Sequence, residues 1–230
     1  MIRTLVSCLL VVTSAFADTK AAVEAAKAGE QAFIAGEYTK AVDLYTKAIA
    51  EDDRNPSFYG NRGNSYSSLG KLEEALKDYD LAIKKAIELS GDPKDKRLAY
   101  FLYNRGFAYD RAGKAKEALA EYVKTIELNP DYPDAHGNAA WILAVNSDAT
   151  IRNAAKALEY ALVEAKRTKM ERSSDLDTLA AAYAANGQFD EARKHQQQAI
   201  SKEEDDEAKG KYTERLRLYE ANKPYVETAK

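Results

Sequence analysis

Residues 58–66 read Phe-Tyr-Gly-Asn-Arg-Gly-Asn-Ser-Tyr, and residues 101–109 read Phe-Leu-Tyr-Asn-Arg-Gly-Phe-Ala-Tyr. The two stretches share Asn-Arg-Gly and, after two variable residues, a tyrosine. Each is followed by a glycine, Gly70 or Gly113, and then by Glu-Ala-Leu. Such self-similarity indicates an array of similar helical pairs, in which each pair buries its apolar face against the next one.

The pattern resembles the tetratricopeptide repeat, a helix-turn-helix unit with small, tyrosine, alanine and aromatic residues at fixed positions. On that pattern the second repeat starts at Pro56 and the third at Ala99. The residues in the signature positions are Gly29, Ala41, Tyr45 and Ala48 in repeat one, Gly63, Tyr66, Ala75, Tyr79 and Ala82 in repeat two, Gly106, Tyr109, Ala118, Tyr122 and Pro130 in repeat three, Ala140 and Leu143 in repeat four, and Ala180, Tyr183, Ala192 and Ala199 in repeat five.

The resemblance implies an all-α fold, a right-handed superhelix of about five repeats with a C-terminal capping helix. The expected divisions are a signal peptide at 1–17, an array at 18–204 with repeats near 22–55, 56–98, 99–132, 133–172 and 173–204, and a capping helix and tail at 205–230. The composition agrees, because Ala, Glu, Lys and Leu lose little entropy on entering a helix.

Glycines mark the turns of the expected array. Gly36, Gly70, Gly113 and Gly187 fall at the ends of first helices, where a left-handed residue commonly stops a helix. Within a repeat, positions 8 and 20 must both be small for the two helices to approach closely. In repeat two this places Gly63 against Ala75.

Two departures from the period are visible. Between repeats two and three, Ala86 to Arg97 is an insertion, in which Gly91-Asp92-Pro93 supplies a stop, an N-cap and a first helical proline. We predict a second helix lengthened to about Leu89 and then a loop. In repeat four, Asn146 to Asn153 predicts a long turn before a helix that runs from about Ala154 to Lys169.

The last part of the chain predicts a helix that begins after Glu203 to Glu207, with Asp205 or Asp206 as its N-cap. Its apolar face comprises Tyr212, Leu216, Leu218 and Tyr219. Such a helix covers the end of an array. The alternative is a homodimer contact through the same face, in which case the protein is a homo-oligomer.

Residues 1–17 have a different composition. Arg3 is followed by a short apolar run, Leu5 to Val12, and then by Ala15-Phe16-Ala17, the small-x-small pattern before a signal-peptidase cut. The run is too short to span a bilayer. We expect an exported protein, periplasmic or secreted, that starts at Asp18, carries no cysteine and has no stable membrane insertion.

The charge and the residue types of the sequence argue against nucleic-acid binding, metal binding and catalysis. The formal net charge is −3, and both signs are scattered through the sequence. A nucleic-acid partner is not expected, because no basic stripe is present to neutralise phosphates. His136 and His195 lie in different repeats, without metal-ligand spacing. His195 is predicted at the solvated surface. No nucleophile motif appears, so we expect no cofactor, no metal and no enzymatic activity.

The candidate binding residues lie in the first helices, which in the tetratricopeptide family line a concave groove. Asn61, Asn104 and Asn138 share the sixth position of three successive repeats, and an amide side chain can both donate to and accept from a peptide backbone. Aromatic side chains supply most of the energy at many interfaces. The aromatic candidates are Tyr100, Tyr103, Phe107 and Trp141.

The resemblance to the family's carboxylate-binding grooves is partial. Tyr100 and Asn104 stand where lysine and arginine are wanted, and Ala26 replaces another lysine. A carboxylate would meet no cation there, so binding of chaperone tails is not expected. The prediction is therefore a scaffold that binds another protein or an extended peptide. The alternative is an architectural subunit of an envelope complex that packs through its edge or convex face, and an enzyme is a remote third.

Overall fold

The computed structural model describes residues 20–228. This part of the chain is all-α, with eleven helices and no strand. The helices are α1 (20–34), α2 (Tyr38–Glu51), α3 (Pro56–Ser68), α4 (Leu72–Ser90), α5 (Leu98–Arg111), α6 (Ala115–Leu128), α7 (Ala135–Val145), α8 (Ala154–Arg167), α9 (Ser173–Ala185), α10 (Phe189–Lys202) and α11 (Asp206–Glu220). The predicted signal peptide lies outside the described residues.

The chain divides into two compact units, one ending at Ala112 and the other starting at Gly113. In the first unit α1 packs on α2, α2 on α3, α3 on α4 and α4 on α5. In the second unit each helix from α6 to α11 packs on the next, and α7 also contacts α9. The all-α helical-repeat fold expected from the sequence is confirmed.

The turn glycines behave as predicted. Gly36, Gly70, Gly113 and Gly187 all have φ between 73° and 76°, in the left-handed region that glycine adopts without steric cost. Gly36 shows the consequence, because the N–H of the next residue, Glu37, donates back to the Ala32 carbonyl at 2.9 Å. This bond satisfies a carbonyl that the helix end would otherwise leave without a partner.

The insertion lengthens α4 to Ser90, and Gly91 ends it with φ 67°. A loop follows, as predicted, and α5 begins at Leu98, so the N-cap and first-helical-residue roles suggested for Asp92 and Pro93 are wrong. Asp92 instead closes a turn, its carboxylate accepting from the Lys94 N–H at 2.8 Å. A short polar side chain can cap a turn as readily as a helix, and the sequence does not distinguish the two uses.

The close packing in repeat two differs from the prediction. A Cβ atom on Gly63 would lie 2.9 Å from Cε1 of Tyr79, so the ring of Tyr79, rather than Ala75, covers this glycine. The same arrangement recurs at Gly29, where Tyr45 would be 3.2 Å away. Each glycine therefore makes room for a buried tyrosine from the second helix of its own pair.

Helix α11 covers the last pair. Tyr219 packs among Ala180, Ala184 and Ala192, and Tyr212 packs against Leu176. Asp205 caps the helix, accepting from the Ala208 N–H at 2.8 Å.

The buried face of α11 differs from the expected one. Its third buried residue is Arg215, whereas Leu216 and Leu218 are only half-buried. Arg215 occupies a buried position on the face that was expected to be apolar. Its charge is accommodated there because it pairs with a buried anion, Asp177.

Within residues 20–228, no helix has both the length and the apolar character that a membrane crossing requires.

Candidate functional site

In the first unit, α3 and α5 bring four candidate residues, Asn61, Tyr100, Asn104 and Phe107, together with Asn64 on a surface that we call the α3–α5 face. Tyr100, Asn104 and Phe107 are spaced for one side of α5. Tyr100 joins the two helices. Its hydroxyl accepts from Asn64 Nδ2 at 2.6 Å and donates to Asn61 Oδ1 at 3.3 Å.

The asparagines of this face are partly engaged by the protein itself. Asn64 Oδ1 accepts from the hydroxyl of Tyr79 at 2.8 Å, and Asn61 hydrogen-bonds Tyr45, whose pKa burial raises to about 12. Asn104 Nδ2 donates to the Tyr100 carbonyl one turn earlier, at 2.8 Å. The side chains are thus held in fixed orientations, with less free hydrogen-bonding capacity than a solvated row of amides has.

The aromatic members are accessible. Phe107 is 44% exposed and Tyr100 is 38% exposed, whereas Tyr103 is half-buried. Both exposed rings lie on a helix whose opposite side is buried through Phe101 and Leu102. They are therefore presented rigidly, which lowers the entropy lost when a partner covers them.

Tyr100 also lines an open cleft of about 660 Å³. Its walls come from the turn before α3, the end of α4 and the start of α5, and they include Ala86, Leu89 and Phe101. Leu89 is 66% exposed. The cleft lies where the insertion interrupts the period, so the departure from the repeat creates a concave apolar site.

The arginines of the shared Asn-Arg-Gly motif are structural. Arg62 donates twice to the Asp78 carboxylate, both at 2.7 Å, and once to the Thr46 hydroxyl at 3.1 Å. Arg105 donates to Asp80 at 2.6 Å. These bonds tie a first helix to a neighbouring second helix, which explains the recurrence of arginine without a ligand.

In the second unit, Asn138 and Trp141 are half-buried on α7. Trp141 is covered by residues 223–228, which we call the C-terminal tail. The Trp141 Nε1–H donates to the Glu227 carboxylate at 2.9 Å, and the ring of Tyr225 lies 6.1 Å from the indole. The Glu227 N–H donates to the Val145 carbonyl at 2.8 Å.

Arg215 lies beside these aromatic rings. Its guanidinium is within 5.3 Å of the ring centres of Trp141, Tyr212 and Tyr225. Asp177 of α9 holds the group through two 2.8 Å hydrogen bonds, and Gln196 donates to the same carboxylate at 2.7 Å. The cation is therefore buried, paired and stacked, and it cannot swing away from the indole.

The structure thus brings Asn61, Tyr100, Asn104 and Phe107 together in one unit and places Asn138 and Trp141 in the other. A single surface that joins all of them stays a prediction.

Sequence reasoning predicted a tail after the capping helix but missed its contact with Trp141, and it missed the cleft. The start of the tail had a local sequence signal, Asn222 followed by Pro224. In the structure Asn222 adopts φ 53° and the Lys223 N–H donates to the Leu218 carbonyl, which ends α11 before the proline.

The prediction for His195 is wrong. It is buried, and its ring stacks on Tyr183 at 5.4 Å with an interplanar angle of 4°. Burial lowers its pKa below the ordinary value of 6.5. His136 is also buried, edge-on to Tyr160. Among the described residues, no group of three or more His, Cys, Asp or Glu side chains is arranged to hold a metal ion.

Comparisons with known proteins agree with the fold. Sequence models of the tetratricopeptide repeat match residues 56–89, 99–132 and 176–202. A tetratricopeptide repeat protein from Parabacteroides merdae ATCC 43184 is 19% identical, with a TM-score of 0.68 over 88% of this chain and 75% of that one.

Two further solved structures share the fold. YrrB, described as a TPR protein with an unusual peptide-binding site, is 18% identical, with a TM-score of 0.63 over 84% of this chain and 92% of its own. A thermophilic TPR protein from Thermus thermophilus is 19% identical, with a TM-score of 0.56 over 88% of this chain and 98% of its own. Among curated proteins none matches significantly.

Proposed function

Because the chain is a tetratricopeptide-repeat protein, we propose that it is a non-enzymatic scaffold that binds an extended segment of another protein. The repeat is generally a non-catalytic interaction fold. YrrB, a protein of the same fold, is described as having a peptide-binding site, which supports the proposal. The observation that carries it is the position of Tyr100, between the amides of Asn61 and Asn64 and the apolar cleft.

The α3–α5 face offers the two kinds of contact that an extended segment needs. Amide groups can bond the backbone of a partner, each with a net contribution of about 0.5–1.5 kcal/mol. The exposed rings of Tyr100 and Phe107 and the cleft beside Leu89 can cover apolar side chains, and a hot-spot contact contributes on the order of 2 kcal/mol. Micromolar affinity needs about −8 kcal/mol, so the aromatic contacts must supply much of it.

An affinity pull-down with the native chain, from an envelope fraction, tests this proposal. Phe107→Ala should weaken capture of the partner more than tenfold, about 1.4 kcal/mol or more. Leu81→Ala is the matched control, because Leu81 is a similarly exposed apolar residue of the same unit, but on α4.

The two variants also separate the alternatives. An architectural subunit that packs through its edge or convex face would keep its partner when Phe107 is changed. Equal capture by the wild type and the Phe107 variant would contradict the groove proposal.

We also propose that the protein is exported to the periplasm or secreted. Support comes from the charged start, the apolar run and the Ala15-Phe16-Ala17 pattern of residues 1–17, which lie outside the described part of the structure. The scaffold proposal involves neither a nucleic-acid partner nor a cofactor, and it is compatible with a homo-oligomer.

A further inference from the structure

The C-terminal tail is seated on the second unit as an extended peptide. Tyr225 and Glu227 turn inward and are half-buried, whereas Val226 and Thr228 point outward and are exposed. This alternation is that of an extended strand. One backbone hydrogen bond, Glu227 N–H to the Val145 carbonyl, and one side-chain bond, from Trp141 to the Glu227 carboxylate, hold it.

The surface beneath the tail is shaped independently of it. Trp141 and Val145 belong to α7, and Val145 is the last residue of that helix, so its carbonyl has no partner within the helix. Arg215 is fixed by Asp177 and presents a cation beside the indole. Tyr225 additionally packs against the cluster formed by Ala180 and Ala184 of α9, Ala192 of α10 and Tyr219 of α11. We call this surface the α7–α9 face.

We infer that the α7–α9 face is a second peptide-binding site, and that the tail occupies it as an internal ligand that a partner segment must displace. The inference rests on the proposed scaffold function and specifies the partner's chemistry: an extended segment with an aromatic residue and, two residues later, a carboxylate.

Each feature of the tail's binding mode supports this specificity. An aromatic residue is selected by the indole and the guanidinium, which both favour ring contacts. A carboxylate is selected by the indole N–H, which donates to the Glu227 carboxylate of the seated tail. The backbone bond to Val145 requires only a main-chain N–H, so other sequences with the same pattern can use it.

An internal ligand reduces the affinity for an external peptide. The observed affinity is the intrinsic affinity multiplied by the fraction of time for which the site is open. If the tail is seated nine-tenths of the time, the affinity of a competing peptide falls about tenfold. The chain contains one tryptophan, Trp141, so its fluorescence reports directly on this site.

The test uses the full chain and a capped synthetic peptide with the sequence of residues 223–228. In Tyr225→Ala/Glu227→Gln the tail loses its ring contact and its charged acceptor, and Trp141 emission should shift to longer wavelength. This variant should bind the peptide at least about tenfold more tightly than the wild type. Val226→Ala is the control, because Val226 is 41% exposed and points away from the face, and it should behave as the wild type.

A second measurement needs no altered tail. Amide hydrogen exchange at Glu227 in the wild-type chain should be slow, and excess peptide should accelerate it as the tail is displaced. A peptide with alanine at both the tyrosine and the glutamate positions should not. Absence of peptide binding by both chains, equal affinity of both, or unchanged Glu227 exchange with saturating peptide would overturn the inference.

These outcomes are independent of the α3–α5 face. Loss of partner capture on changing Phe107, together with no binding at Trp141, would leave the scaffold proposal intact and refute only the internal ligand. Peptide binding at Trp141 without any effect of Phe107 on capture would support the internal ligand and refute only the α3–α5 face as the partner's binding site.

Discussion

Gly63 illustrates how a single residue sets the distance between two helices. It lies under the buried ring of Tyr79, in a helix where glycine would otherwise cost stability relative to alanine. The favourable packing of the tyrosine offsets that cost. Arg62, the neighbouring residue, ties the same two helices together through Asp78.

We predict that Gly63→Leu destabilises the protein by about 1–3 kcal/mol or more, because the new side chain would collide with Tyr79. Gly210→Leu is the control, since Gly210 lies within α11 with no atom near its missing Cβ. The urea unfolding midpoint measures both. An unchanged midpoint for Gly63→Leu would show that the helices do not approach as described.

His195 leads to a prediction about pH. Burial lowers the pKa of His195 in the folded chain. As the pH falls below about 6.5, this histidine is therefore protonated in the unfolded chain before it is protonated in the folded chain. The free energy of unfolding should therefore fall as the pH is lowered from 6.5 towards the folded-state pKa.

The His195→Phe variant keeps a ring against Tyr183 but cannot take up a proton. Denaturant unfolding at several pH values should show a smaller acid-side loss for this variant than for the wild type. Some acid-side loss of stability should remain in the variant, because burial also lowers the pKa of His136. Identical pH profiles would mean that His195 is solvated in solution, as the sequence first suggested.

At the scale of the helix, capping decides where elements begin. Asn55 accepts from the Ser57 N–H at 3.0 Å, just before Pro56 starts α3. Lys71, at the equivalent position of α4, makes no side-chain cap bond. Asn55→Ala should therefore lower the unfolding free energy by about 1 kcal/mol.

Lys71→Ala, measured by the same denaturant titration, is the comparison in the same unit and should be nearly neutral. A comparable loss in both variants would attribute the effect to helix propensity or surface charge rather than to capping.

The elements that the sequence predicts well are those with a local cause. The glycine stops, the lengthened α4 and the Asp205 cap each follow from the conformational needs of one or two residues. The burial of His195 depends on Tyr183 in the preceding helix, and that of Arg215 on Asp177, 38 positions away. No short pattern identifies either partner.

The candidate site was predicted in part for the same reason. The repeat period places Asn61 and Asn104 at equivalent positions, and the structure brings both to the Tyr100 network. The repeat period carries no information about the tail, because the tail follows the last repeat and occupies none of its positions. Its contact with Trp141 joins residues 86 positions apart.

For the whole molecule, export predicts a defined mature end. Cleavage after Ala17 would leave Asp18 as the first residue and remove Cys8, the one cysteine of the sequence. Intact mass spectrometry of the protein isolated from its native source should give the mass of residues 18–230. A retained Met1, or an acylated Cys8, would refute export by this route.

We propose that the first-helix surfaces of this repeat protein hold an extended segment of a partner. Photo-crosslinking in the native cell tests it most directly, with a photoreactive phenylalanine at Phe107 in one chain and at Leu81 in another. We expect position 107 to crosslink to one contiguous stretch of a partner and position 81 to give little product. Crosslinks from position 81 alone, or equal and scattered products from both positions, would contradict it.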